Sequence, residues 1–449
     1  MPERHTIAAI VTSHGKSGVG IVRLSGKQSL NIAKAISKKD IKPRHAHFCA
    51  FIDKQNRIID QGVLIYFNAP NSFTGEDVVE LQVHGSDVVL NILLKDVLLR
   101  GARLARPGEF TERAFLNERI DLVQAEAIAD LIDSVSEQAA RSAVRSLQGE
   151  FSRKIHYLVE ELINIRVFVE GALDFPEEEI DFLKDSDISS KLEKILMELD
   201  QLLVNAKAGK KLREGLRAAI VGKPNVGKSS LLNRLAGVDR AIVTDIAGTT
   251  RDVIEETVLI DGLAVNIVDT AGLREPEGRV EAEGIKRSLN EISKADIIIY
   301  VTDKVLLEAE DRKWIDNTNI SIKKLIVLHN KIDLNKKNPG EKTQEGICHI
   351  FASMKTGKGI EYIMAAVKNF YGVEQNFENI VLARERHIEA LMKAKLDIES
   401  VLAEFLLTGQ GEILAEGLRL SQLTLGKITG EYHTEELLGE IFSRFCIGK

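Results

Sequence analysis

The chain has 449 residues, which corresponds to about three domains at roughly 150 residues per domain. Hydrophobic residues make up 44% of it, and no apolar run reaches the roughly 20 residues that a membrane-spanning helix needs. The net charge of −7 does not by itself suggest nucleic-acid binding, and three cysteines are too few for a disulfide framework. The N-terminal sequence has no signal-peptide organisation, so we expect a cytoplasmic protein without a membrane partner.

The charge is unevenly distributed along the chain. Residues 1–120 hold 17 Lys and Arg against 12 Asp and Glu, so the remainder is strongly acidic. Two interpretations of this basic excess remain open: a solvated face, or a site for an anionic ligand. The residues that carry it in one stretch are Lys95, Arg100, Arg103, Arg106, Arg113 and Arg119.

The first part of the chain has a mixed pattern. Up to about residue 118, β-branched runs such as TIAAIVT and VVELQVHG alternate with at least two helices, which indicates an α+β module. From Asp121, apolar residues recur at steps of three and four, which is typical of helices. The acidic stretch DFPEEEIDF interrupts this pattern, which then resumes to about residue 213.

The pattern changes again between residues 214 and 376. Short apolar strands alternate with helices, which predicts a mostly parallel sheet, and LIDGLAV predicts one antiparallel hairpin with an Asp-Gly turn. The rest is again helical. We therefore predict a multidomain fold. Its parts are an α+β domain at 1–118, an all-α domain formed by 119–213 and 377–449, and an inserted α/β P-loop domain at 214–376.

A phosphate-binding loop is the clearest motif. GKPNVGKS, residues 222–229, matches G-x-x-x-x-G-K-S, and it follows an apolar strand and opens a helix. Its amides and the helix N-terminus would bind phosphate, Lys228 would reach the β- and γ-phosphates, and Ser229 would ligate Mg²⁺. The predicted nucleotide contacts from this loop are Asn225, Val226, Gly227, Lys228, Ser229 and Ser230.

Three later motifs follow in the order expected of a Ras-like GTPase. In DTAG, Asp269 would act on Mg²⁺ through water and the Gly272 amide would meet the γ-phosphate. In NKID, Asp333 would accept hydrogen bonds from guanine N1–H and its 2-amino group. The third motif, SMKTGKG at 353–359, would supply a loop beside the base, and its first three residues are the SMK segment. The remaining predicted contacts of the three motifs are Thr270, Ala271, Asn330, Lys331, Ser353, Met354 and Lys355.

The hydrolysis machinery departs from Ras. Leu273 stands where a glutamine would orient water, so the candidates are the carboxylates Glu275, Glu277, Glu281 and Glu283. No arginine finger is evident, although Arg251 and Arg274 are possible sources. A monovalent cation could do the same work, with oxygens from Asn225 and from TDIAGTT at 244–250, where Thr250 would meet Mg²⁺.

Four further phrases carry a resemblance to a known family. They are PNSFTGEDVVELQVHG (70–85), RPGEFTERAFLN (106–117), DLVQAEAIADLI (121–132) and the terminal FCIGK. With the GTPase motifs, the whole chain resembles the MnmE (TrmE) family of tRNA-modification GTPases. The resemblance implies a folate-binding, dimerising N-terminal domain and a homodimer. It also implies a flavoprotein partner, MnmG (GidA), that forms a heterotetramer with it.

The same resemblance implies an activity and site residues. The two proteins would install an aminomethyl or carboxymethylaminomethyl group on the wobble uridine of certain tRNAs, with a one-carbon unit from 5-formyltetrahydrofolate or a related folate. Glu281 would be catalytic, and Cys446 would lie near the one-carbon unit as a nucleophile or redox group. Asp245, Ala247 and Gly248 would contact GTP. The implied ligand sets are Asn225, Thr244, Ile246 and Thr249 for K⁺, Ser229 and Thr250 for Mg²⁺, and Arg23, Glu80, Arg119 and Lys449 for folate.

Two other functions stay open on the sequence. One is a ribosome-assembly GTPase, which would need an RNA-binding appendage that residues 1–118 do not resemble. The other is a GTP-switched scaffold in which folate and Cys446 do nothing chemical. Nucleoside analysis of tRNA from a deletion strain separates all three.

Overall fold

The structure, a computed structural model, describes residues 5–174, 187–237, 255–269, 292–318, 320–371 and 380–448. The chain divides into two compact units. The first contains Met1–Ala129, Leu147–Phe168 and Leu418–Lys449, and the second contains Asp130–Ser146 and Val169–Gly417.

The described strands fall into two sheets, one in each unit. Those of the first sheet are β1 (Ile7–Ile10), β2 (Ser17–Ser25), β3 (His47–Ile52), β4 (Ile58–Phe67), β5 (Val78–Gly85) and β6 (Arg103–Leu104). Those of the second sheet are β7 (Leu216–Val221), β8 (Glu255–Ile260), β9 (Leu263–Asp269), β10 (Ile297–Thr302), β11 (Leu325–His329), β12 (Gly340–Gln344) and β13 (Ile347–Phe351).

Helices make up most of the remaining described chain. Those before the phosphate loop are α1 (Ser29–Ser37), α2 (Asp87–Leu99), α3 (Glu109–Leu116), α4 (Leu122–Ile132), α5 (Glu137–Leu147), α6 (Glu150–Asp174) and α7 (Ile188–Glu214). Those after it are α8 (Lys228–Ala236), α9 (Ala309–Asn317), α10 (Ile332–Asn335), α11 (Ile360–Asn369), α12 (Glu385–Thr408), α13 (Gly411–Thr429) and α14 (Glu435–Ser443). No helix in these parts of the chain is long and apolar enough to cross a membrane.

The first sheet has the strand order β3-β4-β5-β2-β1-β6. Its strands pair antiparallel except for β1 and β6, which are parallel. Alternate residues of β2 and β5, such as Val22, Leu24, Val79 and Leu81, are buried in one core with apolar residues of α1 and α2. The period-2 alternation of these strands therefore sets which side chains the helices cover.

The last helix packs against the helices that follow the first sheet. In α14, Leu438, Ile441 and Phe442 form a buried cluster with Leu122 and other apolar residues of α4. Its N-cap is Thr434, whose side chain accepts a hydrogen bond from the Leu437 amide at 3.2 Å. The chain end that follows α14 is therefore anchored on a packed helix.

The second sheet has the order β12-β13-β11-β10-β7-β9-β8. The five pairs of neighbours from β13 to β8 include one antiparallel pair, β8–β9, and β12 pairs antiparallel with β13 at the other edge. All six residues of β10 are buried, as expected of a strand covered on both faces. The predicted α/β class of this region, and the multidomain fold class as a whole, are confirmed.

The hairpin between β8 and β9 was also predicted correctly. Ile260 pairs with Leu263, and the two turn residues, Asp261 and Gly262, have φ of 51° and 74°. Two positive φ values in succession are characteristic of a type I′ turn, whose twist matches that of the paired strands.

Helices α7 and α12 pack against each other in the second unit. Lys210 pairs with Glu385, and Lys395 donates to Asp200 at 2.6 Å. Moving from Lys210 to Asp200 goes backward along α7, while moving between their partners, from Glu385 to Lys395, goes forward along α12. The two helices therefore run antiparallel. Helix α7, before the phosphate loop, and helix α12, after the second sheet, thus contact each other.

Candidate functional site

The phosphate loop connects β7 to α8. Gly227 has a φ of 108°, and a Cβ added there would lie 2.1 Å from the Asn330 side-chain nitrogen. Only glycine therefore fits this position. The Lys228 ammonium donates to the carbonyl oxygens of Gly222 and Lys223, both at 2.8 Å, so the cation lies over the loop. Ser229 is in the first turn of α8, where backbone amides favour an anion.

Asn330 connects the phosphate loop to the other side of the site. Its amide nitrogen donates to the Val226 carbonyl at 2.8 Å, and its oxygen accepts from the Met354 amide at 3.0 Å. Lys331 donates to the Asn225 carbonyl at 2.7 Å and pairs with Asp303 at 3.2 Å. These bonds hold NKID and the SMK segment in one arrangement with the phosphate loop.

Asp333 is oriented by a neighbouring serine. Ser353 Oγ donates to Asp333 Oδ1 at 2.6 Å, and this hydrogen bond lowers the pKa of Asp333 below its ordinary value. The carboxylate is therefore ionised at neutral pH and acts only as a hydrogen-bond acceptor. It can accept from two adjacent donors on one ligand edge.

These groups surround a cavity of about 630 Å³, a volume typical of small-molecule sites. The Lys228 ammonium lies over the phosphate loop and the Asp333 carboxylate lies among the cavity's lining residues, so the site suits a ligand with an anionic end and a donor-bearing end. The lining residues are Asn225, Gly227, Ser230, Asn233, Arg234, Gly237, Asn330, Lys331, Asp333, Leu334, Ser353, Met354 and Lys355.

Most of the predicted nucleotide-contact residues that the structure describes line this cavity. Val226 and Lys228 belong to the same loop and make the hydrogen bonds given above. Of Asp269 the structure describes the backbone, at the end of β9. The predicted site residues outside the described chain are Thr244, Asp245, Ile246, Ala247, Gly248, Thr249, Thr250, Thr270, Ala271, Gly272, Glu281 and Lys449.

Sequence reasoning missed two residues of this site. Asp303 directly follows β10, and Arg234 lies in the last turn of α8 and contacts the SMK segment. The position of Asp303 was the available signal, because the carboxyl ends of parallel strands are where such sheets bind ligands. Arg234 gave no comparable signal, since its contacts are 120 residues away in sequence.

A second group of predicted residues lies on the first sheet. Arg23 of β2 and Glu80 of β5 are directly paired in register, and the guanidinium donates to Glu80 Oε1 at 3.0 and 2.8 Å. The same guanidinium carbon is 5.9 Å from the Phe73 ring centroid and 5.8 Å from that of Phe110. The structure thus brings Arg23 and Glu80 together beside two aromatic rings.

The PNSFTGED loop, residues 70–77, borders this pair. Ser25 Oγ lies 2.7 Å from both Thr74 Oγ1 and Glu76 Oε2. Asn117 donates to the Thr74 carbonyl at 2.6 Å. The exposed Arg119 packs its Cγ near Gly75 of the same loop. Arg119 and Arg23 therefore contact one loop, at Gly75 and at Phe73.

Four of the six basic residues in the stretch 95–119 form ion pairs with acidic residues of the chain. Arg103 and Arg113 both donate to Glu109, at 2.5 and 3.0 Å. Burial disfavours the charged form of Glu109, but hydrogen bonds from Arg103, the Arg106 amide and Arg113 lower its pKa to about 2. Arg100, Arg106 and Arg113 also pair with Asp96, Glu112 and Glu76, respectively.

The chain end lies beside the strands of this second group. Ile447 forms an antiparallel bridge with Pro107, and the Gly108 amide donates to the Cys446 carbonyl at 3.3 Å. A Cβ at Gly448 would be 2.6 Å from the Ile10 carbonyl, so the tail contacts the end of β1. Ala9 of β1 pairs with Arg23. Cys446 is exposed, whereas Cys49 is buried and Cys348 half-buried.

Comparisons with known proteins agree with this architecture. Family models described as the MnmE helical domain and as the N-terminus of the GTP-binding protein TrmE match residues 122–446 and 6–119. The tRNA modification GTPase MnmE of Pseudomonas aeruginosa UCBPP-PA14 is 51% identical over 449 residues, with 99% of each chain covered. The Pseudomonas fluorescens Pf-5 protein of the same description is 50% identical over 452 residues, again with 99% of each covered.

A solved structure also matches part of the chain. The G domain of the T. maritima FeoB iron transporter is 26% identical, covers 34% of this chain and 98% of its own, and gives a TM-score of 0.26. That score is too low to carry an argument.

A parallel sheet with a phosphate loop, NKID and SMK around one cavity defines a P-loop GTPase. The matches over nearly the whole chain show more. The chain belongs to the MnmE (TrmE) family of tRNA modification GTPases. It is accordingly a GTP hydrolase that acts in tRNA modification.

Docking of the tail depends on Gly108, which gives a first prediction. Gly108 has a φ of 67°, and a Cβ there would lie 2.6 Å from the Phe442 carbonyl oxygen. We expect Gly108→Ala to displace the tail and speed amide hydrogen exchange of residues 443–448. Losing the net stabilisation of about one hydrogen bond should raise the exchange rates of these amides roughly tenfold.

Gly101→Ala is the matched control for this prediction. Gly101 also has a positive φ, 109°, but a Cβ there meets nothing within 4 Å. Both variants carry backbone strain, so only Gly108→Ala should change exchange in the tail. Parental exchange rates in the Gly108→Ala tail would show that the bridge does not hold it.

Proposed function

We propose that this GTPase is potassium-dependent and acts with a flavoprotein, MnmG (GidA). Together they would form aminomethyl and carboxymethylaminomethyl groups on the wobble uridine of certain tRNAs. The one-carbon unit would come from 5-formyltetrahydrofolate or a related folate. The observation that carries this proposal is the docking of the Cys446 tail against β1, whose neighbour β2 carries the Arg23–Glu80 pair.

The geometry around Arg23 supports a folate site. A pterin is a flat ring with adjacent donors and acceptors, and a folate ends in carboxylates. Glu80 offers acceptor oxygens, while Phe73 and Phe110 offer aromatic surface. Arg119 and Lys449 would bind the anionic end, Arg119 by a bidentate fork where relatives of the family often carry a lysine.

The proposed GTP contacts are those that the sequence indicated. The amides of residues 225–230 and Lys228 bind the phosphates, Ser229 and Thr250 hold Mg²⁺, and Asp333 reads the guanine edge. Thr244, Ile246 and Thr249 join Asn225 around K⁺, and Glu281 positions the attacking water. Four groups of oxygens around a monovalent ion would supply the positive charge that an arginine supplies elsewhere.

The assembly and location are proposals of the same kind. The domains would be 1–118 for folate binding and dimerisation, 119–213 with 377–449 for the helical part, and 214–376 for GTP hydrolysis. Two chains would form a homodimer that joins MnmG in a heterotetramer in the cytoplasm. tRNA would bind this assembly.

Potassium should accelerate GTP hydrolysis. Asn225 is exposed, lines the cavity and has its backbone carbonyl bound by Lys331, so its side chain can offer an oxygen to a cation. Turnover is measured in KCl, RbCl and NaCl at equal ionic strength. K⁺ and the similarly sized Rb⁺ should support hydrolysis and Na⁺ should not.

Asn225→Ala should remove the difference between these salts. Equal turnover of the parent protein in KCl and NaCl would refute a cation site, whatever the variant does.

Glu281 should act in hydrolysis and not in binding, because Leu273 cannot orient water. Loss of a positioned carboxylate costs about a hundredfold or more in rate. Glu281→Ala should bind a non-hydrolysable GTP analogue with parental affinity and turn over slowly. Glu283→Ala is the control; if it, and not Glu281→Ala, loses turnover, the assignment moves to Glu283.

Cys446 should be needed for tRNA modification and not for GTP hydrolysis. Cys446→Ser keeps the side-chain volume but gives a hydroxyl that stays protonated at neutral pH, so thiolate chemistry is lost. A deletion strain is complemented with the variant, its tRNA is digested, and modified wobble uridine is quantified. GTP turnover is measured on the same purified variant.

Cys348→Ser is the matched control. Burial and the neighbouring Glu341 raise the pKa of Cys348 to about 12, so this thiol does not ionise at neutral pH. Modification should survive Cys348→Ser and disappear with Cys446→Ser. Normal modification in the Cys446→Ser strain would reduce this cysteine to a packing role.

A further inference from the structure

Arg234 fastens the SMK segment to the helix that follows the phosphate loop. Its Nε and Nη2 both donate to the Met354 carbonyl at 3.2 Å, and Nη2 also donates to the Lys355 carbonyl at 3.0 Å. The guanidinium carbon lies 3.5 Å from where a Gly357 Cβ would be. One side chain of α8 thus covers the turn formed by residues 353–357.

That turn controls two side chains of NKID. The Met354 amide donates to Asn330, and Ser353 Oγ donates to Asp333. Two hydrogen bonds close the turn: the Gly357 amide donates to the Ser353 carbonyl at 2.8 Å, and the Thr356 amide donates to Ser353 Oγ at 3.3 Å. Movement of the Met354 and Lys355 carbonyls would therefore move the serine that orients the Asp333 carboxylate.

We propose that Arg234 is a positioning residue for nucleobase selection: it fixes the turn so that Asp333 meets both donors of guanine. The proposal rests on the base-reading role proposed for Asp333. Arg234 acts through Ser353 and does not itself need to touch the nucleotide.

The geometry favours arginine over lysine at this position. Three donations to two carbonyl oxygens use adjacent nitrogens of one planar group. A lysine ammonium is a single point with a flexible stem, so it can reach one carbonyl without fixing the direction of the turn. Arg234→Lys should therefore keep the charge and recover only part of the selectivity.

The test compares GDP with IDP, whose hypoxanthine lacks the 2-amino group. Affinities are measured by displacement of N-methylanthraniloyl-GDP from the full-length chain. In the parent, an oriented carboxylate accepts two hydrogen bonds from guanine and one from hypoxanthine. We expect Arg234→Ala to weaken the binding of GDP about tenfold, equivalent to about 1.4 kcal/mol, and to weaken the binding of IDP by a smaller factor. The GDP-to-IDP preference should fall roughly fivefold, with Arg234→Lys between.

Two further measurements separate positioning from general damage. Arg312→Ala removes an exposed guanidinium from α9, whose pairing with Glu345 is long at 3.8 Å, and should leave the preference unchanged. In Arg234→Ala the loss should appear mainly as a raised KM for GTP and less as a lowered kcat, because the residue is proposed to act on nucleotide binding.

The outcomes distinguish this inference from the role of Asp333. Asp333→Asn replaces the acceptor with an amide and should abolish the preference for GDP. If Asp333→Asn does so while Arg234→Ala weakens GDP and IDP equally, Arg234 only stabilises the fold and the inference is wrong. If Asp333→Asn keeps the preference, the base-reading role itself is wrong.

Discussion

The Asn330 side chain is the interaction on which the nucleotide site depends. Its two ends bond to the Val226 carbonyl and the Met354 amide, so one buried amide joins segments more than a hundred residues apart. A buried amide left without either partner would cost about 1–3 kcal/mol, which disfavours other arrangements of these loops. Lys331 also bonds NKID to the phosphate loop, at the Asn225 carbonyl, and Ser353 also bonds the SMK segment to NKID, at Asp333. The loops are fixed because these polar groups have to be paired.

The parallel sheet explains why these segments meet at all. β7, β10, β11 and β13 are neighbours, and the phosphate loop, Asp303, Asn330 and Ser353 follow their carboxyl ends. Burial on both faces requires apolar strands, which is why the chain alternates apolar runs with polar motifs. The sheet places the motifs at the ends of neighbouring strands, and the side-chain hydrogen bonds then set their detailed geometry.

Local patterns were sufficient for the fold class, the hairpin at Asp261–Gly262, the phosphate loop and NKID, because each depends on neighbours in sequence. They were insufficient for β12, an exposed edge strand with the sequence GEKTQ. Its residues show no apolar alternation, and it is a strand because it pairs with β13. They also could not show which cations of the basic stretch are paired within the chain. Arg113 pairs with Glu76, 37 residues earlier, and composition cannot show that a cation already has a partner. Arg234 was missed for the same reason.

The proposed role of Cys446 requires a held backbone and an accessible sulfur. Backbone bonding by Gly108 and Pro107 fixes the carbonyl of Cys446 and the residue after it, while the thiol itself stays exposed. A nucleophile needs this combination, because a fixed backbone lowers the entropy lost on reaction and an exposed sulfur can still meet its partner. Cys348 has the opposite arrangement: its sulfur is half-buried beside a carboxylate, and its pKa is raised. This contrast supports the proposal that Cys446, and not Cys348, is the cysteine needed for tRNA modification.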